Sequence, residues 1–207
     1  MFADRVTAAM QLVQRLRSYQ DCRDVEVVGL ARGGVVIAKA VADHLHLPRD
    51  VVVIKKISPP FNPELAIGAV APDGVRFIDR PFAQSLNIDK SYLQEETNRK
   101  SQLVKQKMQL YRKGKPPFSA GDKTIIIVDD GAATGATIQA AILWLKKKRA
   151  KHIVVALPVA PAEVVEKIKP NVDELIILDT PSAFGAVGEF YEHFDQVEDN
   201  EVVQLLA

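Results

Sequence analysis

Short, nearly unbroken apolar runs that alternate with helical segments constrain this chain more than any other feature. The runs are residues 25–30, 51–54, 124–128, 152–157 and 175–178, and between them residues 35–47, 134–148 and 161–168 have helical character. A strand with one face in water alternates apolar and polar residues, whereas a strand covered on both faces is apolar throughout. Continuous apolar strands separated by helices therefore predict an α/β fold with a doubly wound, mainly parallel sheet. The chain has 207 residues, which suits a single domain. Its core is expected over about 22–180. A small hood or cap is expected from the chain ends, 1–21 and 181–207. Within the first of these, Val6, Met10, Val13 and Leu16 recur at helical spacing behind Asp4, a side chain suited to capping a helix start.

Composition excludes several classes. The net charge is +1, with 47% hydrophobic and 26% charged residues, so neither disorder nor a global field for nucleic acid is implied. No apolar run approaches the roughly 20 residues of a membrane span, and the first residues lack the order of a signal peptide, with Asp4 and Arg5 preceding an amphipathic segment. Cys22 is the single cysteine, which excludes an intramolecular disulfide and a multi-cysteine zinc site. A cytoplasmic protein with no membrane partner is expected. The even balance hides a polarity. Residues 171–207 hold nine acidic residues and no Lys or Arg, while 89–123 hold nine basic and four acidic ones. The block has no regular aromatic–basic interleaving, so oppositely charged solvated faces are favoured over a nucleic-acid partner.

Other segments break the alternation. Residues 51–54 end on Lys55-Lys56 and lead into Ser58-Pro59-Pro60-Phe61-Asn62-Pro63, too rich in proline for regular structure. Residues 67–71 and 75–79 flank Pro72-Asp73-Gly74 and predict a hairpin. Residues 90–112 predict a long helix whose first half has little to bury. That leaves projection into solvent open, or docking on another subunit in a homodimer or higher homo-oligomer.

The stretch with the most chemistry runs from Thr124 to Thr137. An apolar strand emerges onto two carboxylates, Asp129 and Asp130; Gly131, Ala132, Ala133, Thr134, Gly135, Ala136 and Thr137 then lead straight into a helix. In open α/β sheets ligands bind at the carboxyl edge of the strands, and a turn of small residues before a helix leaves backbone amides free for an anion. Carboxylates beside such a cradle suit a ligand that also has hydroxyls, or a Mg²⁺ near it. Without Gly-Lys-Ser/Thr this is no Walker loop, and Gly131 and Gly135 do not have dinucleotide-fingerprint spacing.

These residues resemble the type I phosphoribosyltransferases, whose signature is an apolar strand, two adjacent acidic residues and a small-residue loop of Ala/Thr-Thr-Gly-x-Thr type. Ala133-Thr134-Gly135-Ala136-Thr137 is closest to the adenine-type form. Gly131 and Ala132 depart from the larger aliphatic residues usual there, which implies looser packing. The resemblance implies that residues 129–137 bind 5-phosphoribosyl-1-pyrophosphate (PRPP). The carboxylates of Asp129 and Asp130 would hold the ribose hydroxyls directly or through Mg²⁺-bound water, with no direct metal ligand assigned. It also implies that Ala31, Arg32, Gly33 and Gly34 form a pyrophosphate loop with a non-proline cis peptide between Ala31 and Arg32.

By the same resemblance, Lys55 and Lys56 open a catalytic loop reaching to about Gly68, expected to be mobile without ligand. Arg32, Lys55 and Lys56 are the candidate catalytic cations, and Phe184 is the candidate for stacking the base. The implied reaction is Mg²⁺-dependent transfer of the phosphoribosyl group to a small nitrogenous acceptor, with pyrophosphate released. Ala133 stands where the hypoxanthine-guanine branch has an Asp, which argues against a 6-oxopurine acceptor handled by that Asp. The alternative is a non-catalytic protein that senses PRPP or a nucleotide. Lys55-Lys56 favour the enzyme; the basic block mildly favours the regulator.

Overall fold

The computed structural model describes residues 1–63 and 65–207. Its elements in chain order are α1 (Arg5–Arg15), β1 (Val25–Leu30), α2 (Gly33–Leu45), β2 (Arg49–Val52), β3 (Lys55–Ile57), β4 (Gly68–Val70), β5 (Arg76–Ile78), α3 (Arg80–Ser85), α4 (Lys90–Tyr111), β6 (Thr124–Val128), α5 (Ala136–Lys147), β7 (His152–Val159), α6 (Ala162–Ile168), β8 (Glu174–Asp179) and α7 (Asp199–Leu206). Five strands form a parallel sheet in the order β2-β1-β6-β7-β8. From β1 the chain first runs outward to β2, then returns to the other side of β1 with β6 and continues to β8. The order reverses between β1 and β6, and the crevice at that point is where open α/β sheets take ligands.

The apolar strands follow from being covered on both sides. All six residues of β1 are buried. Val25, Val27, Ile126 and Val128 face Ala9, Leu12 and Leu16 of the N-terminal segment and Ile37, Val41 and Leu45 of α2. Val28, Leu30, Ile125 and Ile127 face the other way, toward Ile138, Ile142 and Trp144 of α5. Asp4 caps α1, its carboxylate accepting from the Thr7 amide at 2.7 Å.

Residues 5–16 thus cover a sheet face instead of forming a hood, because successive turns of the helix bury Ala8, Ala9, Leu12, Val13 and Leu16. The extreme N-terminus and Arg5 at the start of α1 meet the other chain end. Phe2 bridges Tyr191 and packs with Val159, Phe184, Val187 and Phe190.

A second sheet, antiparallel in the order β3-β4-β5, contains the hairpin expected around Pro72-Asp73-Gly74. Lys55 and Lys56 differ from expectation: they do not end β2 but begin β3, paired with Val70 and Ala69. Val53 and Ile54 turn the chain from one sheet to the other, so one apolar run serves two sheets. The long helix α4 does not project. It buries Thr97, Val104 and Tyr111, and Val104 and Tyr111 share a cluster with Ile57, Ile67 and Val70 of the second sheet and with Val197, Val202 and Leu206 at the C-terminus. Helices α3 and α7, in the hairpin exit and the acidic tail, were not legible from periodicity. The span 55–68 expected to be mobile includes Glu64, which lies outside the described residues.

Candidate active site

The register pairs Gly29 with Val128, so β1 and β6 end side by side. Their following loops, 31–34 and 129–137, face each other across the crevice at the strand-order reversal. The peptide between Ala31 and Arg32 is cis, as the resemblance implies. The contact between the loops is close enough to exclude a side chain at Gly33 or Gly34. A Cβ on Gly33 would lie 1.9 Å from Asp130 Oδ2, and one on Gly34 would lie 2.7 Å from the Val128 carbonyl oxygen and 2.9 Å from Asp129 Oδ1. The glycines thus let the acidic pair stand directly against the first loop.

The two carboxylates have different surroundings. Asp129 accepts from the Asp130 amide at 3.0 Å, and burial, together with the adjacent Asp130 charge, pushes its carboxyl well above the usual carboxylate range. Asp130 is held by Arg5, whose Nε donates to Oδ2 at 2.9 Å, with side chains only 11% and 16% exposed. Arg5 also donates from Nη1 to the Asp195 carbonyl at 2.8 Å and lies 3.9 Å over the Phe194 ring. The Tyr191 hydroxyl donates to the Asp130 carbonyl at 2.6 Å. Both chain ends therefore converge on the acidic pair.

Between the pair and α5 the chain stays small. The Ala132 amide donates to the Val159 carbonyl at 3.0 Å, while the amides of Ala133, Thr134 and Gly135 donate to no acceptor among the described residues. Gly135 caps α5 in a left-handed conformation with φ at 73°, and Thr134 is exposed. The turn thus offers unpartnered amides and an open hydroxyl at the start of a 12-residue helix. The looser packing expected at Gly131 and Ala132 is not found. Ala132 is buried, and a Cβ on Gly131 would meet Val187 and Val159 at 2.8 and 2.9 Å. Neighbouring valines fill the space that a larger residue would take.

The lysines that open β3 alternate in direction, as successive strand residues do. Lys56 is exposed and its charge acts on Asp129; Lys55 is half-buried and faces Arg32, Lys100 and Lys107. Burial first, then these three cations, push the Lys55 ammonium below its ordinary value. Arg32 reaches toward α7, with Nη1 3.6 Å from Glu198 and 3.9 Å from Asp199. Phe184 lies in the aromatic cluster at the chain ends, its ring 5.0 Å from that of Phe190 and tilted by 33°.

The structure therefore brings Ala31–Gly34, Asp129–Thr137 and the two lysines around one crevice, and it adds groups that sequence reasoning missed. For Arg5 a signal existed: a cation in the first turn of a helix opposes the macrodipole, so it needs another reason to be there. For Lys107 and Asp199, which pair with each other, the charge polarity of the chain was the signal. Among the described residues no group of three His, Cys, Asp or Glu side chains could hold a metal ion, and no helix is long and apolar enough to cross a membrane.

Comparison with known proteins gives consistent matches. The profile of the phosphoribosyl transferase domain matches residues 3–192. A Mycobacterium tuberculosis (strain H37Rv) protein provisionally named a phosphoribosyl transferase is 37% identical over the whole of this chain. The alignment takes in 46% of that protein, so the chain spans about half the length of the curated relatives it matches. Among solved structures, TT1426 from Thermus thermophilus superposes with a TM-score of 0.81 at 36% identity, covering 99% of this chain and 97% of that one. The purine phosphoribosyltransferase from Pyrococcus horikoshii shares the fold, with a TM-score of 0.50 at 20% identity over 94% and 93% of the two chains.

Proposed function

Because this chain belongs to the phosphoribosyl transferase domain family, we propose that it transfers the 5-phosphoribosyl group of PRPP to a small nitrogenous acceptor and releases pyrophosphate. The observation that carries this reading is the meeting of loops 31–34 and 129–137 where the strand order reverses, which gathers carboxylates, unpartnered amides and the cation Arg32 on two neighbouring loops. A ligand with hydroxyls, a monoester phosphate and a diphosphate needs all three in that arrangement. A mononucleotide alone would leave the cations around Lys55 without a partner.

In this reading Asp129 and Asp130 hold the ribose hydroxyls. The amides of residues 133–135, with Thr134 and Thr137, take the 5′-phosphate at the start of α5. Arg32 and Lys55 receive the diphosphate, and Lys56 adds charge at the rim. As C1 loses its bond to oxygen, charge grows on the leaving diphosphate, and fixed cations there stabilise the transition state more than the ground state. Two adjacent carboxylates without a third ligand do not build an all-protein metal cage, but they fit a Mg²⁺ that arrives with a diphosphate. Asp129 and Asp130 would hold it through water, and it would neutralise the leaving group. Phe184, whose cluster reaches Gly131 through Val187, is the candidate for stacking the acceptor ring. Ala133 supplies no carboxylate near the acceptor, which disfavours a 6-oxopurine handled by an acid at that place.

The test is pyrophosphate release from PRPP and Mg²⁺ across a panel of purine and pyrimidine bases and simple amines. Base-dependent release by the parent, abolished in Asp129→Asn/Asp130→Asn that still folds, is the expected result. Donor binding with no release for any acceptor would establish a sensor instead.

A further inference from the structure

The sequence separates its charges, with cations concentrated in 89–123 and carboxylates in 171–207. The fold brings part of each set to the loop that carries Arg32. Arg32 after β1, Lys55 on β3, and Lys100 and Lys107 on α4 lie near enough for each of the others to lower the Lys55 ammonium. Among the described residues Lys55 has no ion-pair partner. The carboxylates facing this group come from the start of α7. Asp199 pairs with Lys107, accepts from the Tyr111 hydroxyl and approaches Arg32, and Glu198 also approaches Arg32.

Contacts other than these carboxylates also hold α7. The helix docks through Val202 and Leu206, with Val197 just before it, all buried against Val35, Val51 and Val104. That apolar contact is indifferent to charge at residues 198 and 199. The ion pairs are open to water: the Glu198 and Asp199 side chains are 62% and 35% exposed, and those of Arg32 and Lys107 are each 32% exposed. Pairs this exposed contribute little stability and can be exchanged for another anion. What the carboxylates do accomplish is neutralisation of a cation cluster that would otherwise stand open beside the crevice.

We propose that Glu198 and Asp199 are a built-in substitute for a diphosphate, holding Arg32 and Lys107 until the diphosphate end of the donor displaces them, and that Lys107 is a further donor-binding group. The inference rests on the reading of the site as one for PRPP and adds a competing anion from the same chain. Binding then includes an exchange of partners: Arg32 and Lys107 leave carboxylates for phosphate oxygens, and the first turn of α7 is freed while its apolar contacts remain. A ligand shifts such an equilibrium only by its differential interaction with the two states. Removing the internal anion must therefore tighten diphosphate binding.

The experiment uses the full chain and titration calorimetry with two probes, inorganic pyrophosphate with Mg²⁺, and PRPP with Mg²⁺. Glu198→Gln/Asp199→Asn should bind both about fivefold tighter than the parent, the scale expected from removing two or three exposed pairs. Lys107→Gln should bind both more weakly than the parent. A merely structural role for the acidic pair gives equal or weaker binding, so tightening is the diagnostic direction. Should the double variant unfold, Glu198→Gln alone, which loses the ion pair with Arg32 and keeps an amide oxygen to accept from Gln196, should still tighten binding about twofold. Equal or weaker binding by a folded acidic-pair variant, with the parent binding normally, overturns this inference and leaves the proposed function standing. No binding of either probe by parent or variant overturns both.

Discussion

The tightest contact in the site belongs to Gly33, and an alanine there tests the geometry without assuming any ligand. The added Cβ would sit 1.9 Å from Asp130 Oδ2 and 2.8 Å from its Cγ, with the nearer atom more than 1 Å inside the roughly 3.5 Å at which such atoms rest. The carboxylate cannot swing aside freely, because Arg5 holds the same oxygen at 2.9 Å in a nearly dry contact. Overpacking costs about 1–3 kcal/mol, and losing a hydrogen bond to a poorly exposed charge costs about 1.5–3 kcal/mol. Gly33→Ala should therefore cost about 3 kcal/mol, or roughly 6–12 °C in melting temperature for a chain of this size. Urea denaturation and thermal melting measure both.

A second background sharpens the test. In Asp130→Ala the obstructing atoms are gone, and the nearest remaining neighbour is Arg5 Nε at 3.0 Å, the end of a side chain that can move. There Gly33→Ala should cost less than about 1 kcal/mol, giving a coupling of about 2 kcal/mol between the two positions. Gly121→Ala, with nothing within 4 Å of its Cβ, is the control and should stay within about 0.5 kcal/mol of the parent. Parent-like stability of Gly33→Ala, or equal cost in both backgrounds, would refute the close approach of the two loops.

Three further outcomes are expected. The folded state raises the Asp129 carboxyl above its ordinary value of 3.8, so its stabilising contribution is complete below about pH 4 and is lost as pH rises through the folded value. Asp129→Asn should accordingly gain stability relative to the parent between pH 4 and 7, read from urea unfolding across that range; a difference independent of pH would show that the group titrates normally. Arg5→Ala loses bonds to Asp130 and to the Asp195 carbonyl and its place over Phe194, at a cost of about 2–4 kcal/mol by guanidinium denaturation, and a loss under about 0.5 kcal/mol would mean that the N-terminal helix does not brace the acidic pair. With an acceptor in hand, Lys55→Ala/Lys56→Ala should lower kcat at least about tenfold while PRPP affinity falls less, since the charge these lysines meet grows in the transition state; unchanged turnover would leave them as strand residues only.

The parallel sheet was legible because burial on both faces forces β1, β6 and β7 to be apolar at successive positions, a local signal that needs no knowledge of neighbours. The strand, carboxylate pair, small-residue turn and helix of 124–147 were legible for the same reason, since each is built from residues adjacent in sequence. The cap at Asp4 and the turn at Pro72–Gly74 belong to this class. What the tertiary structure decided are relations across long separations. Lys55 and Lys56 look like a strand end until β4 pairs with them. Arg5 meets Asp130 across 125 residues, and Lys107 meets Asp199 across 92. Gly33 reads as an ordinary turn residue until β6 brings a carboxylate against it. Local periodicity records which face of an element is covered, but not what covers it. The identity of that partner depends on strand order and register, which a single chain's pattern leaves open.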